Sequence, residues 1–235
     1  MMAHMSRRAR TSSGELSDVL QLSLGGGLGL FPLGVAFGMM VIQADMAWWV
    51  APLLSVVVYA GSVEMLLVGL LAATTPVVTI ALMTLLVNFR HVFYAFSFPL
   101  NLIHNPWARA YSIYALTDET YAIVNGQPHG WSQRRLIILQ VALQSYWVVG
   151  GLVGTAVAGL LPAPIEGLEF ALVALFTVLA LDAARSRKQV PSVLIGAVSL
   201  VIGLVLVPDA ALLTSLVLFS AGLFVRHIVG RGKHA

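Results

Sequence analysis

Arg90, Glu64 and the pair Asp118-Glu119 are the residues of this chain whose placement demands chemistry. Arg90 lies near the middle of Pro76–Leu100, an otherwise apolar stretch of about 25 residues, long enough to cross a bilayer. An arginine at the centre of a membrane helix is unfavourable by about 2.5–3.5 kcal/mol on insertion scales, so such a residue faces a bundle interior, a cavity or a partner charge. Its planar fork grips a carboxylate through two parallel hydrogen bonds and stays charged at any accessible pH. A carboxylate-bearing substrate is one candidate for that grip, and Glu64 and Asp118 are others.

Glu64 lies deep in a second apolar stretch, within Tyr59-Ala60-Gly61-Ser62-Val63-Glu64. An ionised carboxylate unpaired in hydrocarbon is too costly, so it is protonated, paired or wetted. Two readings stand side by side: an ion pair with Arg90 that fixes two helices, or a substrate or proton site. Gly61-Ser62 just before it loosens the helix and frees backbone groups near the carboxylate. Asn88 and His91 flank Arg90, and Tyr94 and Ser97 follow it at i+4 and i+7, one polar helix face suited to lining a path. His91 is a packing histidine on one reading and titrates during a cycle on the other. Thr117-Asp118-Glu119-Thr120 reads as a helix N-cap with first-turn charges. Beside Tyr111, Tyr114 and Tyr121 it is also a candidate for binding or proton coupling.

The elements that must position these groups are membrane helices. Mean hydropathy is +0.90. Hydrophobic residues make up 59% of the 235 positions and charged ones 10%, against roughly 25% charged in a typical soluble domain. From Val19 to Phe89 the charged residues are Asp45 and Glu64, and Leu136 to Ile165 has none. Strong apolar segments fall at about 19–43, 47–73, 76–100, 135–161, 167–184, 190–207 and 210–228. No period-2 alternation is present, which predicts an all-α, polytopic membrane protein of about seven transmembrane helices, range 6–8, with room for broken helices and internal repeats. The predicted organisation is a cytoplasmic tail over 1–18, one helical membrane domain over 19–230 and a C-terminal tail over 231–235. The first apolar run has the length of a span and reads as a mature helix, not a cleaved signal.

Basic residues gather at segment ends, as Arg7-Arg8-Arg10, Arg134-Arg135, Arg185-Arg187-Lys188 and Arg226-Arg231-Lys233. That placement is a positive-inside signal and argues against nucleic acid, despite the net charge of +3. Seven simple spans do not put all four clusters on one side. Either the weaker stretch Trp107–Val124 crosses, or an earlier segment is re-entrant, or the rule fails. Gly25 and Gly29, Gly34 and Gly38, and Gly150 and Gly154 are each spaced by four, which places each pair on one helix face for close contact. The dense run Gly25–Gly29 followed by Pro32 also suits an unwound helix that exposes backbone. Gly25–Gly38 is faintly echoed in Gly150–Gly159, as a duplicated unit would be. The chain has no cysteine, no phosphate-binding GxxxxGK[ST] loop, no HExxH and only scattered histidines. These features predict no enzyme, no metal and no cofactor.

In its blocks the chain resembles the AzlC (YgaZ-like) family, the large subunit of branched-chain amino acid exporters. The resemblance rests on Phe31-Pro32-Leu33-Gly34-Val35-Ala36-Phe37-Gly38, Tyr59-Ala60-Gly61-Ser62, Asn88-Phe89-Arg90-His91-Val92-Phe93-Tyr94, Leu116-Thr117-Asp118-Glu119-Thr120-Tyr121-Ala122 and Gly167-Leu168-Glu169-Phe170-Ala171-Leu172. It covers about 20–230, and R-H-x-x-Y and L-T-D-E carry most of the weight. Family members often have glutamine where this chain has Glu64. The resemblance implies a multi-pass protein of the cell inner membrane that exports valine, leucine or isoleucine as a secondary transporter, with a small AzlD-like membrane partner. On that reading Arg90 holds the substrate carboxylate, Glu64, Asp118, Glu119 and His91 serve the amine or protons, and Asn88 and Tyr94 line the site. Gly25, Gly29, Pro32, Gly34, Gly38 and Gly61 would supply backbone polar groups or hinges. The rival reading is a non-transporting membrane scaffold in which a Glu64–Arg90 pair is structural.

Overall fold

A computed structural model describes residues 12–127, 130–161, 170, 174, 177, 181, 190–208 and 211–231. The described residues are helical, with no strand. In chain order the helices are α1 (Ser12–Gln43), α2 (Val50–Val57), α3 (Gly61–Ala72), α4 (Val77–Asn88), α5 (Arg90–Ser97), a short 3-10 turn (Leu100–Leu102), α6 (Pro106–Tyr114), α7 (Asp118–Gly126), α8 (Gln133–Leu160), α9 (Val190–Leu206) and α10 (Ala211–Arg231). Two of them, Gly14–Gln43 and Gln133–Leu160, are long and apolar enough to cross a membrane singly, and several others are shorter apolar helices. The predicted segment 167–184 and the block Gly167–Leu172 lie largely outside the described residues.

The chain forms two compact units, one holding α1–α3 and α5–α8, the other holding most of α4 with α9 and α10. In the second unit α9 and α10 run antiparallel. A Cβ built on Gly203 would meet the Ala211 carbonyl at 2.6 Å, and one on Gly196 would lie 3.5 Å from the Phe219 ring. At the other end of the pair the Arg226 guanidinium donates to Ser192.

The first unit is organised on α1 and α8, which make its most extensive helix contact. A Cβ on Gly34 would sit 2.7 Å from the Trp147 carbonyl, and one on Gly150 would sit 2.5 Å from the Phe31 carbonyl. One on Gly38 would collide with the Gly151 carbonyl, and one on Gly154 with that of Val35. Glycine is required here because backbone meets backbone. Numbers rise together along both helices: Glu15 lies 4.0 Å from Arg134, Ser23 meets the Tyr146 hydroxyl at 3.2 Å, and Gly38 meets Gly151 and Thr155. The helices are therefore parallel, with Arg134 at one end and Leu160 at the other. The echo between the glycine stretches is the two faces of this seam.

One expectation fails. The run Gly25–Gly29 with Pro32 does not unwind, because α1 is helical from Ser12 to Gln43 with Pro32 inside it. Nor do Gly25 and Gly29 pack, since nothing lies within 4 Å of a Cβ at either. Gly26 and Gly27 face Leu143 and Tyr146 instead. The hinge role assigned to Gly25, Gly29, Pro32, Gly34 and Gly38 is thus corrected to continuous helix, with Gly34 and Gly38 serving close packing.

The breaks lie elsewhere. Segment 47–73 divides at Val58–Ala60, segment 76–100 is interrupted at Phe89, and the weak stretch 107–124 divides at Ala115–Thr117. The last pair is a hairpin. His104 and Asn105 donate their backbone N–H groups to Gln133 at the start of α8, and Gln140 donates to the carbonyls of Ser112 and Ala115 one helix-length further in. The chain then returns, for only six residues separate Gly126 from Gln133, and the Trp131 indole donates to the carbonyls of Val124 and Gln127. Both ends of Trp107–Val124 therefore lie at the Arg134 end, and this stretch does not pass through.

Segment 47–73 also bends. Ser55 donates to Glu64, nine residues on, at 2.8 Å. In a straight helix those residues would be about 13 Å apart along the axis. Tyr59 turns the chain with φ of 42°, a left-handed conformation that is strained for an aromatic residue.

Candidate functional site

Three side chains on one face of α8, at i, i+4 and i+7, organise the polar interior: Gln140, Gln144 and Trp147. Gln140 is buried and ties down the α6–α7 turn by its two bonds to carbonyls. These carbonyls at the C-terminal end of α6 have lost their helical partners, so the amide replaces what the break removed. Gln144 accepts from Tyr111 at 2.9 Å and donates to the Tyr114 hydroxyl at 3.0 Å. Trp147 stacks on Phe37 of α1, ring centroids 5.6 Å apart, and donates its indole N–H to Glu64 at 3.0 Å.

Glu64 is fully buried at the first turn of α3. One oxygen accepts from Ser55 and Trp147, and the other accepts from the backbone N–H of Ala60 at 3.0 Å. The last bond is a capping interaction, in which a carboxylate reaches back to a free N–H at the helix start. Three donors converge on a group that only accepts, which suits a carboxylate better than a carboxamide. Glutamine would have to turn its NH2 toward a donor. Among the described residues Glu64 has no cationic partner.

Arg90 opens α5, and its side chain lies outside the described residues. One turn on, Tyr94 donates its hydroxyl to Asp118 at 2.8 Å and stacks on Tyr121 at 4.2 Å. Ser97 and the Tyr121 hydroxyl are 2.9 Å apart. The polar face read from the spacing on α5 therefore meets the first turn of α7, and the R-H-x-x-Y and L-T-D-E blocks form one cluster. Thr117 caps α7 by accepting from the N–H of Thr120, as its sequence predicts, with Asp118 and Glu119 in the first turn where the helix dipole favours them. A Cβ on Gly26 would lie 3.9 Å from that of Glu119, which sets this helix start against α1. His91 places Nδ1 3.1 Å from the Asn88 carbonyl and its ring edge-on to Tyr94, and the side-chain oxygen of Asn88 is buried without a partner among the described residues. The α5–α7 contact continues toward the Arg134 end into a half-polar pocket of about 310 Å³ lined by Ser97, Asn125 and Trp131. Gly61 begins α3 against the Trp147 ring, at the break itself.

Sequence reasoning did not single out Ser55, Gln140, Gln144 or Trp147. A usable signal was present in the i, i+4, i+7 spacing of hydrogen-bonding side chains on a helix with no charge between Leu136 and Leu160.

A glycine seam between long apolar helices, with polar residues confined to helix breaks inside the bundle, defines an all-α integral membrane protein. The AzlC protein family model matches residues 27–161, and the chain belongs to that family. It is 32% identical to an uncharacterized membrane protein of Helicobacter pylori over 76% of this chain and 80% of the relative. It is 26% identical to the branched-chain amino acid transport protein AzlC of Bacillus subtilis, over 72% and 67%. To the inner membrane protein YgaZ of Escherichia coli it is 29% identical, over 72% and 74%. No solved structure matches the chain significantly.

Proposed function

We propose that the protein is a secondary transporter that exports branched-chain or similar neutral amino acids across the inner membrane, as the large subunit of a permease with a small AzlD-like membrane partner. The observation that carries this reading is the pair of broken segments, α2–α3 and α6–α7, fastened to α8 by Trp147 and Gln140. Broken helices that expose backbone and polar side chains inside a membrane bundle are where transporters build substrate sites. Family membership and the name of the Bacillus subtilis relative support the substrate class.

The parallel seam supports a multi-pass topology. Because Glu15 and Arg134 lie at one end, the start of α1 and Arg134-Arg135 share a side, which the positive-inside rule makes cytoplasmic. With α6–α7 entering and leaving at that side, the chain between Gln43 and His104 crosses an odd number of times. On this reading one of the two apolar segments between them turns back, and the bend at Val58–Ala60 supports segment 47–73 as that one.

Arg90, about 6 Å along the helix from Tyr94, is assigned the substrate carboxylate. Asp118, Glu119, Glu64 and His91 are assigned the amine or coupled protons, with Asn88 and Tyr94 lining the path. The test is exchange of labelled valine, leucine and isoleucine in vesicles, with and without the small partner. Arg90→Ala is expected to insert normally and lose exchange at least tenfold; full exchange in that variant would remove the carboxylate assignment. If the parent moves no amino acid under either condition, the transport reading is wrong.

A further inference from the structure

The two broken segments approach the middle of α8 from opposite ends, and their tips touch beside Gln144. Along α2 the contacts run from Gly151, beside Ser55, to Trp147, beside Gly61, so this segment arrives from the Leu160 end. The α6–α7 hairpin arrives from the Arg134 end. Where they meet, Tyr114 donates its hydroxyl to the Val56 carbonyl, and its ring lies 5.8 Å from that of Tyr59. Gln144 of α8 steadies the same hydroxyl.

The two tips touch, with Tyr59 buried beneath the more exposed Tyr114 and Val56, but the layer is not satisfied. The Tyr59 side chain is 5% exposed and its hydroxyl has no partner among the described residues. Ser112 Oγ and Gln140 Oε1, on and beside the opposing hairpin, are also buried without partners among the described residues. Buried polar atoms without partners are costly, and water or a polar ligand relieves that cost. Tyr59 is held besides in a left-handed conformation, a strain that persists only where the surroundings impose it. A tip-to-tip contact with strain and unsatisfied groups on both sides is poised to part.

We propose that the tips at Val58–Ala60 and Ala115–Thr117 form one gate, closed by the contact of Tyr114 with Val56 and Tyr59. On opening it offers the Tyr59, Ser112 and Gln140 polar atoms to the charged ends of an α-amino acid. The proposal rests on the transport reading above and locates where the path is shut.

The chain has no cysteine, so introduced thiols are unique. Tyr59→Cys and Tyr114→Cys are combined, the protein is reconstituted with its partner, and leucine exchange is measured before bridging, after bridging with a short cleavable bifunctional thiol reagent, and after cleavage. Bridging is expected to cut exchange at least tenfold and cleavage to restore it, while each single variant ignores the reagent. Undiminished exchange in bridged protein overturns the gate. If the double variant is inactive before bridging, a second measurement decides: labelling of Ser112→Cys by a small maleimide with and without Tyr114→Phe. Labelling several-fold faster in the Phe background supports the gate, and equal rates overturn it. The labelling needs no substrate, so it separates failure of the gate from failure of the transport reading.

Discussion

The α1–α8 seam and the broken segments beside it solve opposite problems with the same helix. Toward the Leu160 end of α8, Gly150, Gly151 and Gly154 let α1 approach until backbone meets backbone. Along the overlapping stripe toward the Arg134 end, Gln140, Gln144 and Trp147 hold segments whose helices have stopped. The seam joins two continuous helices and gains stability mainly from close packing of backbone on backbone. The broken segments leave carbonyls and N–H groups that need side-chain partners, and each partner can be released. A backbone-to-backbone seam and segments held by side chains share one scaffold.

The seam should be the most intolerant region. Gly38→Leu or Gly154→Leu would drive side-chain atoms into a facing carbonyl, and overpacking of this kind costs about 3 kcal/mol or more where neither backbone can yield. The expected result is loss of monodisperse protein in detergent. Gly25→Leu and Gly29→Leu, on the same helix with nothing within 4 Å, should unfold no earlier than the parent. Equal damage from both pairs would mean that α1 does not pack against α8 as described.

That contrast shows what the sequence made legible. Spacing by four at Gly34/Gly38 and Gly150/Gly154 announced close contact, and both pairs make it. The same spacing at Gly25/Gly29 announced it falsely, because spacing says which residues share a face and not what the face meets. Glycine density and Pro32 also pointed to a break in α1, yet the helix persists where α8 lies along it. At the real break Gly61-Ser62 gave a local signal. The residue that turns the chain there is Tyr59, an aromatic in a conformation usually left to glycine, which nothing in its type announces. The Tyr94–Asp118 cluster was half visible, as two polar blocks far apart in sequence. Their meeting depends on the α6–α7 hairpin, and that depends on Gln133 and Gln140, residues too ordinary in helices to stand out.

Second in size is the carboxylate at the first break. Glu64→Leu strands the donors of Ser55, Trp147 and Ala60 in a buried site, each at about 1–3 kcal/mol before relaxation. A sizeable drop in thermal stability is expected, together with loss of exchange. Glu64→Gln should cost less, about 1–2 kcal/mol, since one oxygen remains and one donor faces an NH2. If Glu64→Gln is as stable as the parent and Glu64→Leu nearly so, the three-donor arrangement does not hold the bend.

Third, Gln140→Leu should free the α6–α7 turn while leaving the seam intact. Two hydrogen bonds are lost, and the Ser112 carbonyl loses its donor while that of Ala115 keeps only the Thr120 hydroxyl at 3.5 Å, about 1–3 kcal/mol together. Hydrogen exchange is the suitable measurement, because it resolves local opening from global unfolding. Amides of 112–120 should exchange faster while those of α1 and of residues 147–155 keep their protection. Uniform acceleration would mean that the hairpin and the seam open as one unit, and the contrast between rigid and movable regions would fall.

The smallest effect on stability belongs to the cluster nearest the proposed substrate. Tyr94→Phe keeps the stack on Tyr121 and removes one hydrogen bond to Asp118, so about 1 kcal/mol or less is at stake. Its effect on exchange should be larger than its effect on folding, since Tyr94 orients the first turn of α7 one helical turn from Arg90. A double-mutant cycle with Asp118→Asn isolates the bond. Coupling in both stability and exchange assigns the pair to holding α7 in place. Coupling in exchange alone assigns it to the transport cycle, in which the bond forms or breaks as the hairpin moves, and no coupling in either removes Tyr94 and Asp118 from the site.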